Sequence, residues 1–541
     1  MRQRPSGKHE KNEVSKTDPV SSRIVFGTSG WRGKLGQDFI LPNILQAAQG
    51  VAEYYKRHIK KGSILLGFDP RRGNREFGRE VASLLASNGI PVEIILEEPT
   101  PTPVLAYLAH SNERIGGVVN LTASHNKFAD DGFKFSPHHG GAADTEATNL
   151  ISQYANEAKV QGKISYQSAR ATGLIREIPL SEAVEDYVRG YIIPTLRQLK
   201  AWQTIVNYVR SDGSFRLALD PMQGTSTRYL EAIYRQMEAE VGRKFTDIIH
   251  AENTDPRFSK VNGAPNPTES ESIKELVALV SQDSHTLGLA TDGDGDRFGV
   301  IDFGGGEVSA NEIIAIFAYF LARRGLRGAV GKTVATSNLV NAIAEHLGLE
   351  LIETPVGFKW FVEKKIKEGK EFLVAGEESA HVGTKPLMRS WDDGIAVGLM
   401  CLWIVAETRN SLASYIEELQ DTIGKRFFYR RDSIGLTPEL KEKAATLIQQ
   451  ARHEGALGEK TEDMAITKKI QASGMTQKVD SVITLDGVKV IFETGDWLCM
   501  RISGTENVAR LYYEVTSKER QEDIRRVGLT LLGVEANQSA Y

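Results

Sequence analysis

A few short runs in this chain carry side chains that could do chemistry. Thr122-Ala123-Ser124-His125-Asn126 follows Gly117-Val118-Val119-Asn120-Leu121, a β-branched apolar run that reads as a buried strand. Ser124 therefore falls where a strand gives way to a loop, the edge at which open α/β sheets bind ligands. Asp131-Gly132-Phe133-Lys134 supplies a turn and, in Lys134, a cation that could reach that serine. Ser124 and His125 are adjacent, so in extended chain their side chains point to opposite faces. No Gly-x-Ser-x-Gly elbow surrounds the serine. A serine that carries a group fits these residues better than one that attacks an ester or a peptide.

Asp292-Gly293-Asp294-Gly295-Asp296-Arg297 follows the apolar stretch Leu287-Gly288-Leu289-Ala290. Three carboxylates at alternate positions converge on a hard cation if the loop curls, and the two glycines let it curl. An oxygen-only donor set with net negative charge suits Mg²⁺. An EF-hand loop would need Gly and Glu where Arg297 and Phe303 stand, so that pattern fails. Two further runs read either as ligand contacts or as ordinary polar loops. Gly376-Glu377-Glu378-Ser379-Ala380-His381 places two carboxylates and a hydroxyl past the strand Phe372-Leu373-Val374-Ala375. Arg501-Ile502-Ser503-Gly504-Thr505-Glu506-Asn507 joins two strands and offers a guanidinium, hydroxyls and a glycine backbone, a compact cradle for phosphate. Gly27-Thr28-Ser29-Gly30-Trp31-Arg32-Gly33 reads equally as a phosphate-holding loop or as a simple glycine-rich turn.

The elements that must position these runs alternate. Asn43 to Ile59 reads as an amphipathic helix with an Asn cap. The strand Ile64–Phe68, the turn Asp69-Pro70 with Gly73, and a helix from Glu76 to Asn88 with Gly89 as its stop make one unit. Leu217-Ala218-Leu219, Asp220-Pro221 with Gly224, and a helix through Tyr229 to Met237 repeat it. Thr333-Val334-Ala335-Thr336 into Asn338–Leu347 is a third strand-to-helix unit without the Asp-Pro. Such alternation predicts parallel sheets built from βαβ units, here three α/β domains related by duplication. Leu196 to Ser214 is expected to carry the first link between them. Past Thr422–Arg431 the texture changes. Asp480–Glu493 alternates around Asp486-Gly487 as a hairpin, two strands flank 503–507, and a helix covers Lys518 to Leu532. The expected division is a disordered tail over 1–22, α/β domains over 23–205, 206–327 and 328–428, and an α+β domain over 429–541.

At 541 residues the chain is too long for one core. Its 66 Lys and Arg against 70 Asp and Glu leave a net charge of -4, which favours neither nucleic acid nor an anionic membrane. Met1 to Ser22 has no apolar signal region. The longest apolar run, Ile313–Ala322, is about half the roughly 20 residues of a membrane span and reads as a core helix. Two cysteines, Cys401 and Cys499, exclude a disulfide framework and suit a reducing cytosol, so a cytoplasmic location is expected.

Taken in order, the runs at 26–33, 122–126, 292–297, 376–381 and 501–507 resemble those of the α-D-phosphohexomutases, the phosphoglucomutase/phosphomannomutase family, across most of the chain from Arg23 onward. The resemblance implies three related α/β/α domains with mixed, largely parallel sheets and a C-terminal α+β domain, arranged around a central cleft. It implies that Ser124 is phosphorylated, that Asp292, Asp294 and Asp296 bind Mg²⁺ together with the serine's phosphate, and that Arg32, Lys134 and Arg297 surround the reacting group. It further implies that Glu377, Ser379 and His381 meet the sugar, that Gly357 and Lys359 of Val356-Gly357-Phe358-Lys359 belong to a substrate loop, and that Arg501, Ser503, Gly504 and Thr505 clamp the other phosphate. Ala380 stands where many bacterial members have glycine. The expected reaction interconverts glucose 1-phosphate and glucose 6-phosphate through glucose 1,6-bisphosphate, in a monomer or weak homodimer. Mannose phosphates, use of both epimers, a glucose 1,6-bisphosphate synthase and a non-catalytic sugar-phosphate-binding protein are the alternatives. The glucosamine-phosphate branch usually has Gln where Glu378 stands.

Overall fold

The structure is a computed structural model that describes residues 23–28, 30–162, 164–387, 391–502 and 508–534. The tail expected over 1–22 lies outside the described residues. Nineteen strands among them form four sheets. The first sheet holds β1 (Trp31–Lys34), β2 (Ser63–Phe68), β3 (Val92–Ile94), β4 (Ile115–Leu121), β5 (Asp130–Pro137) and β6 (Ile175–Glu177), in the order β1-β5-β4-β2-β3-β6. The second holds β7 (Arg216–Asp220), β8 (Thr246–Ile248), β9 (Thr286–Thr291) and β10 (Phe298–Ile301), in the order β10-β9-β7-β8. The third holds β11 (Ala329–Thr333), β12 (Leu351–Thr354), β13 (Phe372–Gly376) and β14 (Val382–Thr384), in the order β12-β11-β13-β14.

The predicted duplication is visible in this topology. In each sheet the first strand of the unit pairs in parallel with the second and the third, and the fourth returns antiparallel beside the third. The first sheet adds β1 and β6 at its two edges. Burial follows the pattern expected of strands covered on both faces: every residue of β2, β9, β10 and β11 is buried.

Local readings differ from the structure in two places. The first helix runs Leu41–Tyr54 and starts behind Ile40, because Pro42 pre-sets the first turn. Asn43 is inside it, buried, its Nδ2 donating to the Asp38 carbonyl 2.8 Å away, so it is no cap. The third first-strand is Ala329–Thr333; Val334–Ser337 already belong to the turn that follows. The stretch 196–214, expected to link domains, is helical over most of its length, with Trp202, Ile205 and Val206 buried.

Ile313–Ala322 lies in the core helix Ala310–Arg323, which opens on a Ser309–Glu312 capping box. The helix Gly394–Thr408 is more apolar still and is buried from Gly394 to Ala406. No single described helix is long and apolar enough to cross a membrane. The fourth sheet is antiparallel throughout, β15 (Phe428–Gly435), β19 (Val508–Val515), β18 (Trp497–Ile502), β17 (Val488–Phe492) and β16 (Val479–Ile483), with the predicted turn at Gly487. Helices cover one of its faces. The other sets Trp497, Cys499 and Tyr512 against Val334 and Ala335 of the third domain. Glu514 fixes this junction, its Oε1 accepting from Asn338 N at 2.8 Å and from Trp497 Nε1 at 2.9 Å.

Candidate active site

The loops that follow the third strand of each unit all carry predicted residues: Ser124 between β4 and β5, the aspartates between β9 and β10, and Glu377–His381 between β13 and β14. They meet in one cleft lined by Arg32, Ser124, Lys134, Asp296, Arg297, Gly357, Lys359, Glu377 and His381.

Ser124 is buried and sits at φ +55°, a left-handed conformation that costs a non-glycine residue about 1 kcal/mol or more. Its amide donates to Thr122 Oγ1 at 2.8 Å, and its Oγ donates to Asp292 Oδ2 at 2.6 Å. The left-handed turn also brings Ser124 Oγ within 3.2 Å of His125 Nδ1. The expectation that these two side chains diverge is therefore corrected: it held only for extended chain. Burial, and next the Arg297 and Arg32 charges, push the His125 imidazole well below its ordinary pKa, so it faces the serine neutral.

The acidic loop approaches backbone to backbone. A Cβ on Gly293 would lie 2.7 Å from the Ser124 carbonyl oxygen and 2.8 Å from Pro265 Cγ, so only glycine allows the approach. Asp292 Oδ1 accepts from the Arg297 amide at 3.0 Å. Lys134 extends from β5, opposite Asn120 on β4, and its Nζ reaches Asp294 Oδ2 at 2.6 Å and Asp296 Oδ2 at 3.0 Å. Burial opposes the Lys134 charge, but these two carboxylates more than offset it and raise its pKa. Burial raises Asp292 well above the carboxylate range, with Asp296 and Asp294 adding to it. Burial also raises Asp296, and Asp294 adds to that.

A dication fits this donor set. One oxygen from each of Asp292, Asp294 and Asp296 lies within 4.8 Å of the others, and the buried Asp294 Oδ1 and Asp296 Oδ1 have no hydrogen-bond partner among the described residues. Three buried carboxylates beside one lysine leave negative charge that a hard cation would neutralise.

Arg32, on β1 opposite Gly132, donates from Nη1 to Asn126 Oδ1. Burial, then the neighbouring Arg297, lowers its pKa to about 10, which leaves it charged. In the third loop Glu377 Oε1 accepts from Ser379 Oγ at 2.9 Å, and Oε2 from the Gly357 amide at 2.9 Å. Ala380 has φ +69°, the physical reason a glycine suits that position. His381 Nδ1 bonds Asp392 Oδ2 and lies 3.7 Å from Asp296 Oδ1. Lys359 crosses to the first domain, its Nζ donating to Thr145 Oγ1 at 3.1 Å.

Arg501, Asp292, Asp294 and Ser379 stand behind the residues that line the cleft, Asp292 and Asp294 directly beneath Ser124 and Lys134; Arg501 lies on β18. It pairs with Asp486 Oδ2 at 2.8 Å, and the same oxygen accepts from the Val356 amide at 3.0 Å, next to Gly357. Ser503, Gly504 and Thr505 lie outside the described residues.

Sequence reasoning missed residues that brace the site. Thr102 grips Asp294 twice, Oγ1 to Oδ2 at 2.7 Å and N to the carbonyl at 2.8 Å, and Asn120 Nδ2 donates to Thr102 Oγ1 at 2.9 Å. Asp392 lies in Trp391-Asp392-Asp393-Gly394, where Asp393 caps the helix Gly394–Thr408 and the Gly394 amide donates to the Gly295 carbonyl at 3.1 Å. Adjacent acids and a glycine at the head of a helix that is apolar from Gly394 to Ala406 are the signal that marks this run.

Models of the three phosphoglucomutase/phosphomannomutase alpha/beta/alpha domains match residues 23–161, 196–305 and 309–423, and the model of the C-terminal domain matches 447–527. The chain belongs to the phosphoglucomutase/phosphomannomutase family. It is thus a phosphohexomutase, with the fold expected from its sequence. A phosphoglucomutase of Komagataeibacter xylinus is 28% identical over 526 residues, covering 92% of this chain and 89% of the relative. A phosphoglucosamine mutase of Aliarcobacter butzleri is 26% identical over 501 residues, covering 92% and 97%. Among solved structures, the open form of the Paramecium phosphoprotein pp63/parafusin, a phosphoglucomutase, shares the fold at a TM-score of 0.76 and 21% identity, covering 96% of each chain.

Proposed function

We propose that this phosphohexomutase interconverts glucose 1-phosphate and glucose 6-phosphate, with Ser124 carrying the phosphoryl group. The observation that supports this most is the Ser124 Oγ held 2.6 Å from Asp292, in a cleft with the carboxylates, Lys134, Arg32 and Arg297 around it. Phosphorylated Ser124 gives its group to the free sugar hydroxyl, forming glucose 1,6-bisphosphate. The turned intermediate returns its other phosphate to Ser124. Such transfer needs alignment and charge neutralisation more than covalent help. Asp292, Asp294, Asp296 and the serine phosphate would hold Mg²⁺, which when bound withdraws charge from the transferring oxygens. Arg32 and Arg297 supply fixed positive charge, and Lys134 supplies a cation and helps carry the proton exchanged at the serine oxygen.

Glu377, Ser379 and His381 accept or donate hydrogen bonds to sugar hydroxyls, and Gly357 and Lys359 close the loop over them. Arg501, with Ser503, Gly504 and Thr505, holds the phosphate that does not react. Charge rather than sugar shape dominates that clamp, so it accepts the substrate in both orientations. The protein is read as a cytoplasmic monomer or weak homodimer with small sugar phosphates as its partners.

Glu378 supports glucose over glucosamine. Purified protein with Mg²⁺ and a trace of glucose 1,6-bisphosphate, given glucose, mannose or glucosamine 1-phosphate in parallel, tests the sugar. Turnover of the glucose compound with kcat/KM at least about tenfold above the others is expected; a mannose or glucosamine preference overturns the assignment.

A further inference from the structure

The Asp-Pro-x-x-Gly turn that repeats in the sequence has no part in the chemistry above, yet in the first domain it holds the reactive loop. Arg71, inside that turn, has a side chain with no exposure. Its Nη1 donates to the carbonyls of Lys127 at 2.8 Å and Asp130 at 2.9 Å. Its Nη2 donates to the carbonyls of Ser124 and Asn126, both at 2.8 Å. Nε donates to Asp69 Oδ2 at 2.9 Å. All five N–H groups of the guanidinium are thereby used, four of them on carbonyls of one loop. Asp69 Oδ2 also accepts from Thr122 Oγ1 at 2.7 Å, and that hydroxyl accepts from the Ser124 amide. Ser124 is gripped at its N–H and at its C=O from one turn. Phe258 of the second domain closes the far side, its ring centroid 5.1 Å from the guanidinium carbon.

The repeat of this turn in the second domain has Met222 where the first has Arg71, and its Asp220 Oδ2 meets His250 Nδ1 at 3.0 Å. Asp220 Oδ1 accepts from the Met222 amide at 2.7 Å, and the Thr225 amide donates to the Gly293 carbonyl at 3.1 Å. There the turn meets the acidic loop by backbone alone. The first domain uses a guanidinium at a loop whose key residue is left-handed and not glycine.

We infer that Arg71 is a positioning residue for phosphoryl transfer: it fixes the left-handed backbone of Ser124 and so aims Oγ at Asp292 and into the cleft. It touches neither substrate nor the reacting oxygen. The inference rests on Ser124 being the phosphorylated residue. An arginine fork is required because a lysine offers three N–H donors at a single point and cannot span four carbonyls.

The test uses Arg71→Lys and Arg71→Ala in the full chain, each checked for native circular dichroism. Arg71→Lys is expected to lower kcat about 100-fold with KM changed less than about threefold. Guanidinium at millimolar concentration is expected to restore Arg71→Ala at least about tenfold, while methylammonium does not. Amide exchange across 122–131 is expected to speed at least about tenfold in Arg71→Lys, a reading independent of turnover. Wild-type kcat in Arg71→Lys, an activity loss no larger than its unfolded fraction, a rise in KM alone, or unchanged exchange in that loop overturns the inference. If Arg71→Ala does not fold, Arg71→Lys decides. Wild-type protein inert on every sugar phosphate would instead defeat the mutase reading, and the exchange measurement would still judge Arg71.

Discussion

The β4–β5 loop and the β9–β10 loop occupy the same slot in two copies of one sheet, and they do opposite things. The first presents one hydroxyl on a left-handed serine, held by a buried arginine. The second fans three carboxylates around two glycines and is held by backbone contacts and Thr102. The difference shows that the duplicated scaffold supplies a position, while the loop inserted there supplies the chemistry. The two loops touch, Gly293 against the Ser124 carbonyl.

The largest effects are expected on the acidic side. Asp294→Asn keeps the shape of the loop but removes one of its charges, and a loss of about 10³-fold in kcat is expected, measured with saturating Mg²⁺. A loss below about tenfold would show that the acidic loop is not the metal-binding partner of the serine loop. Gly293→Ala tests the contact itself. A methyl group there must push the Ser124 backbone or Pro265 away, and misplacement on that scale is expected to cost about 10²-fold in kcat with native circular dichroism. An active Gly293→Ala enzyme would show that the two loops need not touch.

In the third copy the expected effects are smaller. There a buried cation holds the turn from the strand before it: Lys332, inside β11, donates from Nζ to the Thr336 carbonyl at 3.0 Å and to Asn338 Oδ1 at 3.0 Å. Burial, and then the charge of Lys489, pushes its pKa down to about 7. Between that value and the ordinary lysine range the unfolded chain holds a proton that the native chain lacks. Stability is therefore expected to rise with pH across that window, by at most about 1.4 kcal/mol per pH unit, and to level off below pH 7. Urea unfolding at pH 7.5 and 9 should show the rise in the wild type and its loss in Lys332→Met; equal slopes would refute it. Smallest is Ala380→Gly, expected to stabilise by about 1 kcal/mol because φ +69° no longer carries a Cβ. Destabilisation would mean that the methyl group's packing outweighs the backbone strain.

Much of this was legible in the sequence, for identifiable reasons. The run at 292–297 announces itself because carboxylates spaced by glycines between apolar strands have few other uses. The duplication shows as strand, turn and helix in the same order. What the residues alone did not disclose depends on backbone conformation and on distance. The left-handed Ser124 turns His125 toward it, although alternation in extended chain separates them. Arg71 and Thr102 look like ordinary turn and cap residues until the loops they hold, 53 and 192 positions away, arrive beside them. Arg501 reads as a phosphate contact, but its tie to the cleft, through an Asp486 carboxylate that also accepts from the Val356 amide beside Gly357, is visible only in three dimensions.

The central claim is that Ser124 bears the transferred phosphoryl group. Wild-type protein incubated with glucose 1,6-bisphosphate and Mg²⁺, then analysed by peptide mass spectrometry beside Ser124→Ala, tests it most directly. The account predicts phosphate on the Ser124 peptide of the wild type, none on the folded variant, and mutase activity reduced at least about 10⁴-fold by the substitution. Phosphate on another residue, or full turnover by Ser124→Ala, would contradict it.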